Sequence, residues 1–380
     1  RIPFFILHLL SFLFILLFAA GCDSNSAANN KEALEKTDGK DEIVLDENNI
    51  KSIGPNGEKA TPASSLTLTD EEIEKLKDGN YTAAISFHYA GNDWSSAQQK
   101  GLEDTFKKYG ITIVGTTDAN FSAEQQVSDL ETLTALNPDV MISIPTDATA
   151  TSDAFKRVSA QGIKLVFMDN VPDNFVAGEN YVGAVSADNY GNGVIAAELI
   201  GEKLNGKGKI GIVHYDVDFF VTNQRLEAFE ETIKTKYPDI EVIAKNGFSD
   251  VNQSTEVADA MLTQNPDLEA IFAIWDIPAE GVLSALTSAG REDIYVSSID
   301  LGDNIAKEIA QGNVLGVGAQ LPYDQGVAEA TMAAYALLGK ETPSYVAVPA
   351  TKVERNTIVT GYEMVYHKEA PSFITEELDK

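Results

Sequence analysis

The hydrophobic patterning predicts an α/β fold of two doubly wound, parallel-sheet lobes, and three observations carry that prediction. From Tyr81 onward, short apolar runs of strand length alternate with stretches of helical spacing. The apolar runs are continuous rather than alternating, as expected of strands covered on both faces. The whole scheme runs through twice, which over 380 residues fits two lobes better than one.

The first pass begins with a strand over Ala83–Phe87, followed by helical spacing at Trp94, Ala97, Gly101, Leu102 and Phe106. A strand over Ile111–Gly115 leads to a helix carrying Val127, Leu130 and Leu133, then to strands over Val140–Ile144 and Leu165–Met168. The second pass has strands over Ile210–His214, Ile240–Ala244, Ala270–Ile274, Tyr295–Ile299 and Leu315–Ala319. Its helices carry Leu226, Phe229 and Ile233, then Val282, Leu283 and Leu286. Ahead of both passes, Thr69-Asp70-Glu71-Glu72 reads as a capped, acid-rich helix start, and Gly79-Asn80 as its end.

The first residues have a different character. Ile2 to Phe18 is an apolar run broken only by His8 and Ser11, and Ala19-Ala20-Gly21-Cys22 follows. Small side chains before the chain's one cysteine suit a signal peptidase, and the thiol can carry a diacylglycerol. The pattern resembles a bacterial lipobox, with Ala19 where Leu is commoner. Residues 1–22 are therefore expected to be a lipoprotein signal peptide with lipid attached at Cys22, the alternative being an uncleaved membrane helix. Either places the remainder outside the cytoplasm, on the outer face of a bacterial cytoplasmic membrane or in a periplasm. Residues 23–65 are rich in Asn, Ser, Lys, Asp and Glu and read as a disordered tether.

Composition excludes several functions. The net charge of −30 repels phosphate backbones, so nucleic acid is not a partner. Four His and one Cys leave little for a zinc site, a disulfide framework or a Cys–His nucleophile pair, and no metal or cofactor is expected.

In doubly wound sheets, ligands bind beyond the carboxyl ends of the strands. Those ends hold His88, Asn92, Asp93 and Trp94, then Pro145-Thr146-Asp147, then Asp169-Asn170. In the second half they hold Asp216–Phe220 leading to Asn223 and Arg225, then Trp275-Asp276, Asp300 and Gln320. There is no Gly-rich phosphate loop and no Ser-His-Asp spacing. Carboxylates, amides and one guanidinium can hold vicinal hydroxyls, while indole or phenyl rings stack on the C–H face of a sugar. Blander roles compete. Asn92, Asp147 and Asp169 are also plausible helix caps, Trp94, Trp275 and His88 plausible core residues, and Arg225 a surface partner of Glu227 or Glu230.

The order and spacing of these segments resemble the ribose/galactose-type periplasmic binding proteins, the type I substrate-binding proteins of ABC transporters, over roughly Tyr81 to Tyr366. The segments are Asn92-Asp93-Trp94, Ile144-Pro145-Thr146-Asp147, Phe167-Met168-Asp169-Asn170, Ala187-Asp188-Asn189 before Gly193, Asn223–Phe229, Ser298-Ile299-Asp300 and Gly318–Pro322. The resemblance implies a three-stranded hinge, with crossings near Ala187-Asp188, Gln320-Leu321 and Val348–Val353. It implies an N-terminal lobe of 80–187 plus 321–348 and a C-terminal lobe of 188–320 plus 349–380. Asn92, Trp94 and Asp169 would hold a sugar from the first lobe, with Asn170 and His88 nearby. Arg225, Trp275, Asp276 and Asp300 would close from the second, with Gln320 at the hinge. Asn170 stands where many ribose-type members have Arg, and Trp275 replaces a small amide; both turn the expectation from ribose itself towards another pentose, a hexose or a polyol.

The expected function is therefore capture of a monosaccharide or polyol by a monomeric, non-enzymatic lipoprotein that closes on a hinge and delivers its ligand to an ABC transporter permease. The alternative on the same fold is a sensor that presents a sugar or small furanosyl signal to a chemoreceptor or sensor kinase. A glycosidase would need two carboxyls at a controlled separation, and nothing in the spacing fixes such a pair.

Overall fold

A computed structural model describes residues 34–380; the expected signal peptide and Cys22 lie outside the described residues. The strands are β1 (Thr61–Pro62), β2 (Thr82–Phe87), β3 (Thr112–Asp118), β4 (Val140–Ser143), β5 (Lys164–Met168), β6 (Gly183–Ala187) and β7 (Lys207–Tyr215). They continue as β8 (Asp239–Phe248), β9 (Ala270–Ala273), β10 (Tyr295–Ile299), β11 (Gly316–Ala319), β12 (Tyr345–Val348) and β13 (Thr351–Glu354). The helices are α1 (Asp70–Asp78), α2 (Asp93–Tyr109), α3 (Ala123–Thr134), α4 (Ser152–Ala160), α5 (Asn189–Lys203) and α6 (Phe220–Lys236). They end with α7 (Ser254–Gln264), α8 (Asp276–Ala289), α9 (Asp303–Ala310), α10 (Pro322–Leu337), α11 (Ile358–Tyr366) and α12 (Ser372–Leu378).

Two sheets result, in the orders β1-β12-β6-β5-β4-β2-β3 and β13-β11-β10-β9-β7-β8. Every pairing is parallel except β11 with β13. The chain passes between the sheets after β6, after β11 and between β12 and β13. Continuous apolar runs form the sheet centres because both faces are covered. On the first sheet Ile85, Val140, Val166 and Val185 face one core, and Ala84, Met141, Leu165 and Ala184 the other. In the second lobe Phe229 and Phe272 stack at 4.1 Å between α6 and β9. Each such buried side chain contributes about 1.5–3 kcal/mol over exposure.

The helices start where caps allow. Thr69 and Glu72 form a capping box on α1, and Asn92 with Ser95 does the same on α2. Gly110, in the left-handed region at φ 70°, ends α2. At the junction of α5 and α6, Gly193 lets the two helices touch. A Cβ there would overlap the backbone oxygen of Arg225 and come within 2.8 Å of Ala228 Cβ. Gly193→Ala should therefore push α6 outward and destabilise the protein by about 1–3 kcal/mol, read as a lower urea midpoint with an unchanged slope.

The free tether expected over residues 23–65 is corrected from residue 34 onward. Val359 N donates to Gly39 O (2.9 Å), Asp41 N to Asn356 O (3.0 Å), and Arg355 Nη1 to Glu35 O, all on the second lobe. Lys51 and Ser52 then bond to Asp188 at the first crossing, and β1 adds to the first sheet beside β12. A polar composition signalled disorder because the segment has no core of its own. It is ordered by groups that the rest of the fold supplies. The C-terminal end is likewise docked, with Ile374 and Leu378 of α12 buried.

Candidate functional site

Two carboxylates define the site. Asp169 follows β5 and Asp300 follows β10, and both adopt left-handed backbone, at φ 57° and 72°. Aspartate tolerates that region better than most residues, yet it remains strained. Their amides extend the sheet ladders, Asp169 N to Val185 O (2.9 Å) and Asp300 N to Gly318 O (3.0 Å). Each carboxylate is thus held rigidly at a strand end rather than on a loose loop.

A polar chain joins them. Arg225 on α6 is 4% exposed. Its Nη1 lies 3.3 Å from Asp300 Oδ2 and donates to Ile274 O (3.3 Å), and its Nε donates to Asn189 Oδ1 (2.9 Å). Asn189 Nδ2 donates to Ser186 Oγ (3.0 Å), which donates to Asp169 Oδ1 (2.6 Å). From the other side, Gln320 Nε2 donates to Asp300 Oδ1 (2.7 Å). The arrangement fixes Arg225 far from Glu227 and Glu230, its imagined surface partners.

Around these groups lies a cavity with about 70 Å³ open to water centres, lined by His88, Tyr89, Asn92, Trp94, Phe121, Ile144, Asp169, Tyr215, Phe219, Val221, Thr222, Arg225, Trp275, Asp300 and Gln320. At roughly 10–15 Å³ per water, that space suits a guest with a handful of hydroxyls. Both lobes contribute rings. His88 stacks on Phe219 at 5.8 Å, Tyr89 on Phe121 at 4.7 Å, and Tyr215 meets Trp275 edge-on at 5.3 Å. Above them, Asp303 N donates to Asp93 Oδ2 across the cleft (2.9 Å). Trp94 Nε1, His88 Nδ1 and Gln320 Oε1 are buried without a protein partner. All three belong to residues that line the cavity, where a ligand would give them partners.

The electrostatics favour a neutral, hydroxylated guest. Burial raises the Asp169 carboxyl to about 6, against the Ser186 hydrogen bond and the attraction of Arg225, and repulsion by Asp300 adds to it. Burial pushes the His88 imidazole down to about 3, so it is neutral. Among the described residues that line the cavity Arg225 is the one cation, and Asp300 and Asp169 already share it, so a phosphate or carboxylate ligand would add a third negative charge. Among the described residues no cluster of His, Cys, Asp and Glu is arranged to hold a metal ion, and no helix is long and apolar enough to cross a membrane.

The structure brings together His88, Asn92, Trp94, Asp169, Arg225, Trp275, Asp300 and Gln320, and leaves Asn170 and Asp276 off the cavity. Asn170 is not among the lining residues, and its Nδ2 donates to Pro145 O (3.4 Å). Asp276 opens α8, where its carboxylate accepts from Ile277 N and Gly302 N (both 2.9 Å). It pins one strand-end loop to the next; burial, with repulsion from Asp300, raises its pKa. Asn92 is both a helix cap and a wall of the cavity, whereas Asp147 does neither: it accepts from Thr149 N (2.9 Å) and Ala150 N (2.6 Å) in the turn ahead of α4, whose N-cap is Thr151. Phe121, Tyr215, Val221 and Thr222 also line the cavity without any signal in the strand-end spacing, and Tyr89 and Ile144, which stand in strand-end segments, join them without an expected task. Phe121 is reached only because Asn120 and Phe121 both turn left-handed, which no spacing announces. Asn189 was quoted in a motif but given no task; its bond to Arg225 supplies one.

Trp94 belongs both to the cavity and to the first lobe's core. Trp94→Phe keeps a ring and deletes the unpartnered N–H. It should weaken ligand binding about five- to tenfold, the worth of one net hydrogen bond, with little change in melting temperature. Unchanged affinity by calorimetry would return Trp94 to the core alone.

Residues 83–341 match the family described as periplasmic binding protein domain. The ribose import binding protein of Bacillus subtilis is 27% identical over 270 residues, covering 71% of this chain and 86% of that protein. The D-ribose/D-allose-binding protein of Pseudomonas aeruginosa is 27% identical over 287 residues, covering 75% and 88%. A solved ABC transporter solute-binding protein from Agrobacterium vitis, bound with α-D-tagatopyranose, shares the fold. Its TM-score is 0.70 at 22% identity, covering 76% of this chain and 100% of that one.

Proposed function

The chain belongs to the periplasmic binding protein family, and from that premise we propose that it captures a monosaccharide or polyol between its two lobes and hands it to an ABC transporter permease. It is a binding protein rather than an enzyme. One observation carries the choice of ligand: a small cavity in which Asp169, Arg225 and Asp300 face aromatic rings, while Trp94 Nε1, His88 Nδ1 and Gln320 Oε1 await partners. Hydroxyls would fill those hydrogen bonds and C–H faces would pack on Trp94 and Trp275. The names of the relatives, ribose and allose binders, support the same class.

Closure follows from the division of these groups between the lobes. Contacts that exist only with both lobes together favour the closed state once ligand is present. About −8 kcal/mol, a 1 μM affinity, is within reach of several hydroxyl hydrogen bonds plus stacking. In the same reading a lipid on Cys22 holds the monomeric protein outside the cytoplasm, near its permease.

A thermal-shift screen of pentoses, hexoses and their alditols tests the ligand class, because a specific binder raises the melting temperature by mass action. A clear shift with at least one of them is expected, followed by a smaller radius of gyration in solution scattering at saturation. No shift with any neutral polyol, or shifts only with anionic solutes, would overturn the proposal.

A further inference from the structure

The segment 34–65 lies ahead of the region that matches the family, which begins at residue 83, and its contacts are not spread at random. From Glu35 to Asp41 it holds to the second lobe. At residues 51–53 it reaches the first crossing between the lobes. From Asn56, which donates to Phe175 O (3.4 Å), to β1 it holds to the first lobe. It is therefore a strap across both lobes, continuous with the first lobe through the chain and held to the second by hydrogen bonds, running alongside the three crossings.

Its midpoint grips two residues that flank the binding arm. Lys51 N (3.0 Å), Ser52 N (2.8 Å) and Ser52 Oγ (2.9 Å) all donate to the Asp188 carboxylate, and Tyr190 N donates to Ser52 Oγ (3.0 Å). Asp188 and Tyr190 bracket Asn189, which holds Arg225 Nε. On the other helix, Gln224 Nε2 donates to Ile53 O (2.8 Å), and Gln224 is the residue before Arg225. Ser52 is 3% exposed, so its two bonds to Asp188 are shielded from water and cost more to break than surface ones. The strap thus clamps, from outside the cavity, both ends of the Asn189–Arg225 hydrogen bond that points the guanidinium inward.

We propose that residues 51–53 are positioning residues of the binding site: they hold the Asn189–Arg225 arm in register and bias the lobes towards closure. They touch no ligand. Opening must rotate the first lobe, where β1 is fixed, relative to α6, where Ile53 is fixed through Gln224. The seven residues between Ile53 and Thr61 carry that strain, so loss of the grip at either point should free the hinge and loosen the arm.

The proposal rests on the ligand-capture reading only for its affinity readout. Ser52→Ala deletes the two hydroxyl bonds of the first grip and leaves its backbone donors, Gln224→Leu removes the second grip, and Ser52→Thr keeps the hydroxyl. Each is titrated calorimetrically with D-ribose, D-allose, D-tagatose and xylitol, and hydrogen exchange is followed by mass spectrometry over residues 189–192 and 222–228 without ligand. The expected result is binding about five- to tenfold weaker for Ser52→Ala and Gln224→Leu, with faster dissociation and faster exchange in both segments, and recovery in Ser52→Thr. A lowered melting temperature with unchanged affinity and unchanged exchange would make the strap a mere stabiliser and overturn the proposal. If the unaltered protein binds none of the four probes, the capture reading is what fails. The exchange measurement still decides the positioning role, since unchanged exchange in both segments sinks it.

Discussion

Arg225→Met should abolish ligand binding and strip away a large part of the protein's stability at the same time. The guanidinium is the cation that the buried carboxylates of the cleft share: it pairs with Asp300, attracts Asp169, and ties Asn189 and Ile274 O into the same network. Removing one partner of a buried pair leaves the other charged and unsolvated, at a cost of about 3–5 kcal/mol. Affinity should fall at least about a hundredfold, since one charge-assisted donor and the orientation of two carboxylates go together. Urea unfolding and calorimetry measure the two losses independently. The double variant Arg225→Met with Asp300→Asn separates them: neutralising the stranded carboxyl should restore much of the unfolding free energy and none of the binding. A double variant as unstable as the single one would mean that Arg225 stabilises by packing and its bonds to Asn189 and Ile274, not by charge.

The same network shows what a sequence can and cannot disclose about this protein. Asp169, Arg225 and Asp300 were visible because each stands at a strand end or on the first turns of a helix, and a strand can be read from four or five consecutive apolar residues. Strands β6 and β13 were not. Gly183–Ala187 is made of small residues whose burial comes from α10 and their neighbouring strands, and Thr351–Glu354 alternates with too short a period to register. Asn170 and Asp276 looked like site residues because they adjoin residues that line the cavity. Which of two adjacent polar side chains faces the cleft depends on a backbone turn, here the left-handed φ of Asp169. The aromatic wall was legible as composition but not as geometry, because Phe121 and Phe219 arrive from loops. The strap was least legible of all. Ser52 has no apolar pattern around it, and its burial exists only because Asp188, distant in sequence, needs donors.

Ligand affinity should rise between pH 5 and 7 and then level off, with Asp169 as the titrating group. Burial holds its carboxyl at about 6 in the folded protein, against an ordinary value of 3.8. A raised folded-state value means that the proton binds the native state more tightly. The associated stability is therefore fully present below about pH 4 and lost as pH rises through 6, leaving a buried charge that costs about 3 kcal/mol above it. If, as proposed, ligand hydroxyls donate to the ionised form, binding below pH 6 must expel the proton, and each unit of pH below 6 should cost about tenfold in affinity. Calorimetry at pH 5.5 in two buffers of different ionisation enthalpy would register the proton released. Asp276 and Glu329 are also buried carboxyls with raised values. They bend the stability curve in the same direction, so the informative quantity is the difference from Asp169→Asn. That variant should be more stable than the parent at pH 8, indistinguishable near pH 4, and should bind with a weak affinity that no longer varies between pH 5 and 7. A parent protein whose affinity is flat over that range would mean that Asp169 meets the ligand protonated, as a donor, and the roles of carboxylate and hydroxyl at that contact would have to be exchanged.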